Sequence, residues 1–349
     1  MSNQQPDFGV MDQGWAAPET SDADAVKASL ETIKVADALG FDSAWIGEHH
    51  QVRADAAFYG RIPATEVFLA YAAAFTSRIR VGTGVRILST TPALRTAEEM
   101  SLLSLLSGDR VEFGVGLGSG QHGLKSREEK AAEFRRLLVE LLGVLRNDPA
   151  LGLPPLSPVP PANLSRRIWA AARDEPTLDC LAELGVNLVV GQAELGEVQA
   201  NYVKRYHAAG GRGRTRAVRL VFVAATHDAA LEKSRAAADL YFKLMGGNGY
   251  RKEAIEKGYL SADVKSREDM LLHINYVVGT PDEVAEQLNA YLALTGVDQL
   301  DAMAQIPRLV PADIHESLRL LQTEVRPQLK FVGRRGADAP AEPGVVEAA

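Results

Sequence analysis

Cysteine is almost absent from this 349-residue sequence, where Cys180 stands alone. A disulfide within the chain and a thiolate metal cluster are therefore excluded, and a reducing compartment is expected. No run of 18 or more apolar residues exists, so no membrane-spanning helix is expected. The first residues are polar and include Asp7, without the basic and apolar regions of a signal peptide. Together these absences point to the cytoplasm. Positive charge is also short: Lys and Arg total 38 against 45 Asp and Glu, a net charge of −7. That balance offers no electrostatic footprint for nucleic acid or an anionic membrane. There is no GxSxG elbow, P-loop or HExxH, so hydrolase, NTPase and zinc-protease chemistry have no anchor and no metal is expected.

What is present is ordinary globular composition, 46% hydrophobic and 24% charged, arranged as apolar runs alternating with amphipathic stretches. Eight runs read as strands: Phe8–Met11, Ser43–Gly47, Ile79–Leu88, Arg110–Leu117, Arg167–Ala172, Val186–Gly191, Val218–Ala225 and Val297–Ala304. Helical patterns separate them, at Ala23–Leu39, Thr65–Ser77, Thr96–Ser107, Arg127–Arg146, Thr177–Leu184, Leu195–Ala208, Asp228–Leu244, Pro281–Leu294 and Ile314–Val325. The clearest start has Thr280 as cap, Pro281 at the first helical position and Glu283 completing a capping box. Ser126 and Glu129 form a second box. Strand-then-helix repeated eight times predicts an α/β fold, either a (β/α)8 TIM barrel or a doubly wound open sheet. Residues 1–332 read as one domain, interrupted by Leu151–Pro161 with five prolines in eleven residues, a stiff extended crossing. Residues 245–278 form an insertion opening on Met245-Gly246-Gly247-Asn248-Gly249-Tyr250, expected to hinge as a lid. The tail, 333–349, lacks large apolar residues and is expected to be disordered.

Three strand ends carry chemistry. Ser43–Gly47 runs directly into Glu48-His49-His50, and a histidine there can donate a hydrogen bond or move a proton near neutral pH. A pair of solvated loop histidines is the plainer alternative. Val111–Gly120 has glycine at every second position (Gly114, Gly116, Gly118 and Gly120), leaving one strand face bare. Either a planar ligand or a tightly packed neighbour can fill that face. Gly118-Ser119-Gly120-Gln121-His122-Gly123 matches GxGxxG only weakly as a dinucleotide site, since it follows three earlier β/α units. Leu88-Ser89-Thr90 and Ala172-Arg173 with Thr177 stand at the same rim, and Arg173 is a candidate phosphate partner, although an arginine beside two acids often forms a local salt bridge.

With these residues in order, the chain from Phe8 to about Leu329 resembles the bacterial luciferase-like superfamily of flavin-dependent monooxygenases. The resemblance is carried by Gly40–His50, by Val81–Val85 leading to Pro92, by Leu106–Gly116, by Val278–Val284 and by Glu324–Pro327. It implies a (β/α)8 barrel with an isoalloxazine at its C-terminal mouth. It implies His49 as the reactive histidine, with His50 beside it. The cofactor contacts implied are Glu48, Leu88, Ser89, Thr90, Gly116, Gly118, Ser119, Gly120, Ala172, Arg173 and Thr177. The contact at Ser89-Thr90 is often made in the family through a non-prolyl cis peptide.

The activity implied is a two-component monooxygenase. Reduced FMN arrives from a separate flavin reductase, and O2 is used to oxygenate a small organic substrate through a C4a-peroxyflavin. A deazaflavin-dependent hydride-transfer enzyme and a non-catalytic flavin-binding relative are the alternatives. Two positions depart from the family pattern: Leu117 where many FMN-binding members have arginine, and Asp174 where a phosphate-contacting serine is usual. The Ala-rich stretch Ala64–Ser77 has more apolar surface than one barrel-facing stripe needs, which predicts a homodimer.

Overall fold

The structure is a computed structural model that describes residues 6–50, 58–118, 126–246, 252, 255–256, 258, 260–264 and 276–332. Its strands in chain order are β1 (Phe8–Asp12), β2 (Trp15–Ala16), β3 (Ser43–Ile46), β4 (Tyr59–Gly60), β5 (Arg80–Ile87) and β6 (Val111–Gly116). β7 (Ile168–Ala171), β8 (Asn187–Val190), β9 (Thr215–Val223), β10 (Tyr276–Gly279) and β11 (Gln299–Met303) follow. Parallel pairing runs β1-β3-β5-β6-β7-β8-β9-β11 and returns to β1 through Phe8 opposite Leu300. The β8–β9 and β9–β11 ladders close the circle, with Leu188 opposite Thr215 and Gln299 opposite Arg216. Closure removes the open-sheet alternative. The fold is a (β/α)8 barrel.

The barrel strands read as near-continuous apolar runs because each is covered on both sides. All residues of β1, β6 and β9 are buried. Helices α1 (Asp22–Leu39), α2 (Thr65–Ala74), α3 (Ala93–Leu106), α4 (Arg127–Leu145), α5 (Glu175–Leu184), α6 (Gly196–Ala208), α7 (His227–Gly246), α8 (Pro281–Thr295) and α9 (Pro311–Leu320) surround them. Both expected capping boxes form: Ser126 accepts from Glu129 N at α4, and Thr280 from Glu283 N at α8, where Gly296 closes the helix at φ 66°. Residues 152–163 carry neither helix nor strand, as the prolines require. Among the described residues no helix is long and apolar enough to cross a membrane.

β9 begins earlier than the expected Val218, because Arg216 lies inside the barrel. Its Nε sits 3.1 Å from Asp301 Oδ2. Below it Arg80 bridges Asp7 (3.0 Å) and Glu112 (3.2 Å), and Trp169 Nε1 donates to Glu112 (2.7 Å). An ionic layer thus replaces apolar filling at the bottom of the barrel.

Three strands have no counterpart in the sequence reading. The two-residue strands β2 and β4 pair antiparallel, and β10 adds to β9 with Tyr276 opposite Leu220. The insertion expected at 245–278 is narrower than that range, since Met245 and Gly246 end α7 and Tyr276 starts β10. Its described part is docked: Leu260 and Val264 are buried, and Gly258 O accepts from Leu195 N (2.8 Å). The expected hinge 247–250, the stretch 266–272 and the tail 333–349 lie outside the described residues.

The bare face of β6 is filled from within. A Cβ at Gly114 would overlap the Thr83 carbonyl oxygen, one at Gly116 would press on Val85, and one at Gly118 on Ile87. β5 therefore bulges onto its neighbour: its register with β6 shifts between Thr83 and Arg86, and the Gly84–Val85 peptide is cis. The glycines serve packing, and through the bulge they shape the mouth of the barrel.

Candidate active site

At the C-terminal ends of the strands lies a cavity of about 610 Å³. Its wall is continuous from the β1 end (Met11, Gln13) through β3, β5, β6 and β7 to Val218 of β9. Apolar cover comes from Met11, Trp15, Val85, Ile87 and Phe134, while Arg127, Lys130 and Arg173 supply positive charge.

His49 faces this cavity. The chain leaves β3 at Ile46, and His49 N donates to Ile62 O (3.0 Å), fixing the turn. Its Nε2 lies 2.9 Å from Gln13 Oε1. Neutral imidazole in the Nε2–H tautomer donates there and leaves Nδ1 as an acceptor. Two glycines make the arrangement possible. A side chain at Gly47 would occupy the Gln13 amide, and one at Gly60 of β4 would overlap the imidazole. Burial, with a smaller contribution from His50, pushes the His49 pKa down to about 4, so the ring is neutral at physiological pH.

His50 does not line the cavity. Its Nε2 is 2.6 Å from Glu48 Oε1, and the ring is spent on that contact. Glu48 borders the cavity, but its oxygens are committed to protein. Oε1 also accepts from Thr90 Oγ1 (3.2 Å), and Oε2 accepts from Arg86 Nη1 and Ile87 N (both 3.1 Å). Arg86 continues to Glu66 (2.9 Å) and Thr91 (2.6 Å). Burial raises the Glu66 carboxyl above its ordinary range, against the pull of Arg86.

Leu88, Ser89 and Thr90 stand apart from the cavity wall. These residues form a 3-10 turn past the end of β5, with Leu88 buried and Ser89 and Thr90 exposed, and none lines the cavity. The β5 bulge brings Gly84, Val85 and Ile87 forward instead, and the non-prolyl cis peptide is there. Gly116 and Gly118 do line the cavity, with Leu117 between them; Ser119 and Gly120 lie outside the described residues.

Ala172, Arg173 and Thr177 line it as well. At α5, however, Asp174 is the N-cap. Its Oδ1 accepts from Thr177 N (3.0 Å), Thr177 Oγ1 (2.7 Å) and Arg135 Nη1 (3.4 Å). A carboxylate thus already takes the donors that an anion would use there. Arg173 pairs with the buried Glu194. Gln13, Arg127, Lys130 and Arg135 were not singled out from sequence. The Ser126 box, which locates the first turn of α4, was the available signal for Arg127 and Lys130.

A family profile described as luciferase-like monooxygenase matches residues 7–299. The chain belongs to the luciferase-like monooxygenase family. A Bacillus subtilis (strain 168) relative, N-acetyl-S-alkylcysteine monooxygenase, is 24% identical over 298 residues, covering 80% of this chain and 87% of that protein. In three dimensions the barrel is similar to the oxygenating constituent of 3,6-diketocamphane monooxygenase from Pseudomonas putida, solved in complex with FMN. The TM-score is 0.77 at 18% identity, covering 94% of this chain and 100% of the other. It is also similar to the coenzyme F420 dependent tetrahydromethanopterin reductase of Methanopyrus kandleri, with a TM-score of 0.63, 18% identity and the same coverages. This luciferase-like fold therefore occurs with both kinds of coenzyme.

Proposed function

We propose that this luciferase-like protein is a flavin-dependent monooxygenase of the two-component type, receiving reduced FMN from a separate reductase and oxygenating a small organic substrate with O2. The observation that carries the reading is His49, neutral and held by Gln13 at the wall of the barrel-mouth cavity. The cavity suits a flavin: apolar walls for a flat ring system, a bulged strand edge at Gly84–Val85, and a basic rim at Arg127, Lys130 and Arg173 for an anionic tail. When bound, the flavin supplies the redox chemistry with O2. The protein's own part is to exclude water with Trp15, Val85 and Phe134, and to hold a proton at His49 Nε2 or accept one at Nδ1.

The second reading is a deazaflavin-dependent hydride transfer that leaves O2 unused, supported by the likeness to the coenzyme F420 dependent reductase. Anaerobic titration with reduced FMN and, separately, the reduced deazaflavin separates the two. Tighter binding of reduced FMN, with reoxidation in air slower than that of free reduced FMN, is the expected result. Binding of the deazaflavin alone overturns the monooxygenase reading.

The same proposal makes the protein a homodimer. Val67 and Tyr71 of α2 and Phe75 at its C-terminal cap lie four residues apart and are 72%, 58% and 51% exposed, and Leu102, Leu105 and Leu106 of the neighbouring α3 are exposed as well. Light scattering at micromolar concentration is expected to give the mass of two 37.6-kDa chains. Tyr71→Glu is expected to halve it. A monomeric mass for the wild type would remove this part of the proposal.

A further inference from the structure

One group in the cavity wall has no part in the site described above. Arg216 of β9 lines the cavity, yet is almost wholly buried. Its guanidinium lies over Trp45, with Cζ 3.3 Å from the ring centroid and Trp169 at 5.4 Å. Asp301 meets its Nε edge at 3.1 Å. Despite that approach, neither Nε nor Nη1 has a hydrogen-bond partner among the described residues, and Asp301 Oδ2 has none either. A guanidinium with an unfilled N–H in a low-dielectric interior is costly unless something else completes it. Aromatic stacking holds the plane of the fork but fills none of its N–H groups.

We propose that Arg216 is the substrate-recognition group of this cavity, and that the substrate is a small organic acid whose carboxylate docks on the guanidinium. The fork geometry suits a planar two-oxygen acceptor better than a single hydroxyl or an apolar end. Burial pushes the Asp301 carboxyl up to about 7, against the pull of Arg216. Glu112 is the second acid acting on the guanidinium. The other cations of the cavity are the exposed Arg127 and Arg173 and the half-buried Lys130, which lie at its rim and so attract acids without orienting them. The polar end of the substrate then points to the floor, and its apolar body lies toward Met11 and Val218.

The inference rests on the proposed function only in taking this cavity as the substrate site. Calorimetric titration of the full-length protein with benzoate and hexanoate, against benzyl alcohol and hexanol, tests it. The acids are expected to bind at least about tenfold more tightly, the worth of a charge-assisted hydrogen bond in a buried site. Arg216→Lys keeps the charge but not the fork and is expected to lose most of that preference. Because Arg216→Met alone leaves Asp301 buried without its partner, Arg216→Met is combined with Asp301→Asn, and this double variant is expected to bind acid and alcohol alike. Equal affinity in the wild type, no binding of the acids, or an undiminished preference in the double variant overturns the assignment. Reduced-flavin affinity is measured on the same samples. Acid preference without flavin binding counts against the proposed function alone, and flavin binding without acid preference counts against Arg216 alone.

Discussion

Replacing His49 by alanine is expected to lower product formation by about 10²-fold or more, the usual worth of a positioned acid–base group. Affinity for reduced flavin should change little, because His49 is one of many residues that line the cavity. Gln13→Leu should reproduce part of the loss, since Gln13 Oε1 fixes the Nε2–H tautomer at 2.9 Å. The pH dependence carries a sign. With its pKa lowered to about 4 from 6.5, His49 is neutral at any pH well above 4. Activity limited by its neutral form is therefore lost only as pH falls through about 4, with no inflection near 6.5. Stability follows the same direction. The unfolded chain takes up the proton first, so this contribution is complete above 6.5 and declines as pH falls toward about 4. Assay of product and of air reoxidation of the bound flavin, across pH 4 to 8, checks all of this. Equal turnover in wild type and His49→Ala would remove the histidine from the mechanism.

Much of the fold was legible because barrel strands, buried on both faces, read as unbroken apolar runs. Closure was not legible. Nothing local in Leu188 or Thr215 announces that they pair, and only that pairing separates a barrel from an open sheet. β9 was read three residues short because Arg216 looks like a surface residue until Asp301 and Trp45 surround it. The glycines of β6 were visible as a pattern, but sequence left open what fills them; Thr83, Val85 and Ile87 of β5 do so. Through that packing Gly84, Val85 and Ile87 of β5 reach the cavity. Glu48-His49-His50 stood out as a cluster, but its division of labour depends on contacts 36 and 38 residues away, with Gln13 and Arg86. Gln13 carried no signal, because an amide just beyond a strand is common.

Glu48→Ala is expected to destabilise the protein by about 3–5 kcal/mol, the cost of removing one partner from a buried ion pair. The carboxylate joins three pieces of chain: the His50 ring, the β5 end through Arg86 and Ile87 N, and the turn after it through Thr90. Without it Ile87 N loses an acceptor, and Arg86 keeps only Glu66, the more distant Glu99 at 3.5 Å and the hydroxyl of Thr91. Glu48→Gln retains one oxygen where Oε2 accepts from Ile87 N and Arg86 but loses the charge and the acceptor that faces His50 and Thr90, and should fall about midway between alanine and wild type. The decisive comparison uses flavin-free protein. A residue whose carboxylate binds cofactor can be removed with little effect on that state. A residue that ties β3 to β5 cannot, and its loss shifts the urea midpoint before any ligand is added. Glu48→Ala is therefore expected to unfold at markedly lower urea with no flavin present, with weaker flavin binding following as β5 loosens. An unshifted midpoint with weakened flavin binding would return Glu48 to the role of a direct cofactor contact.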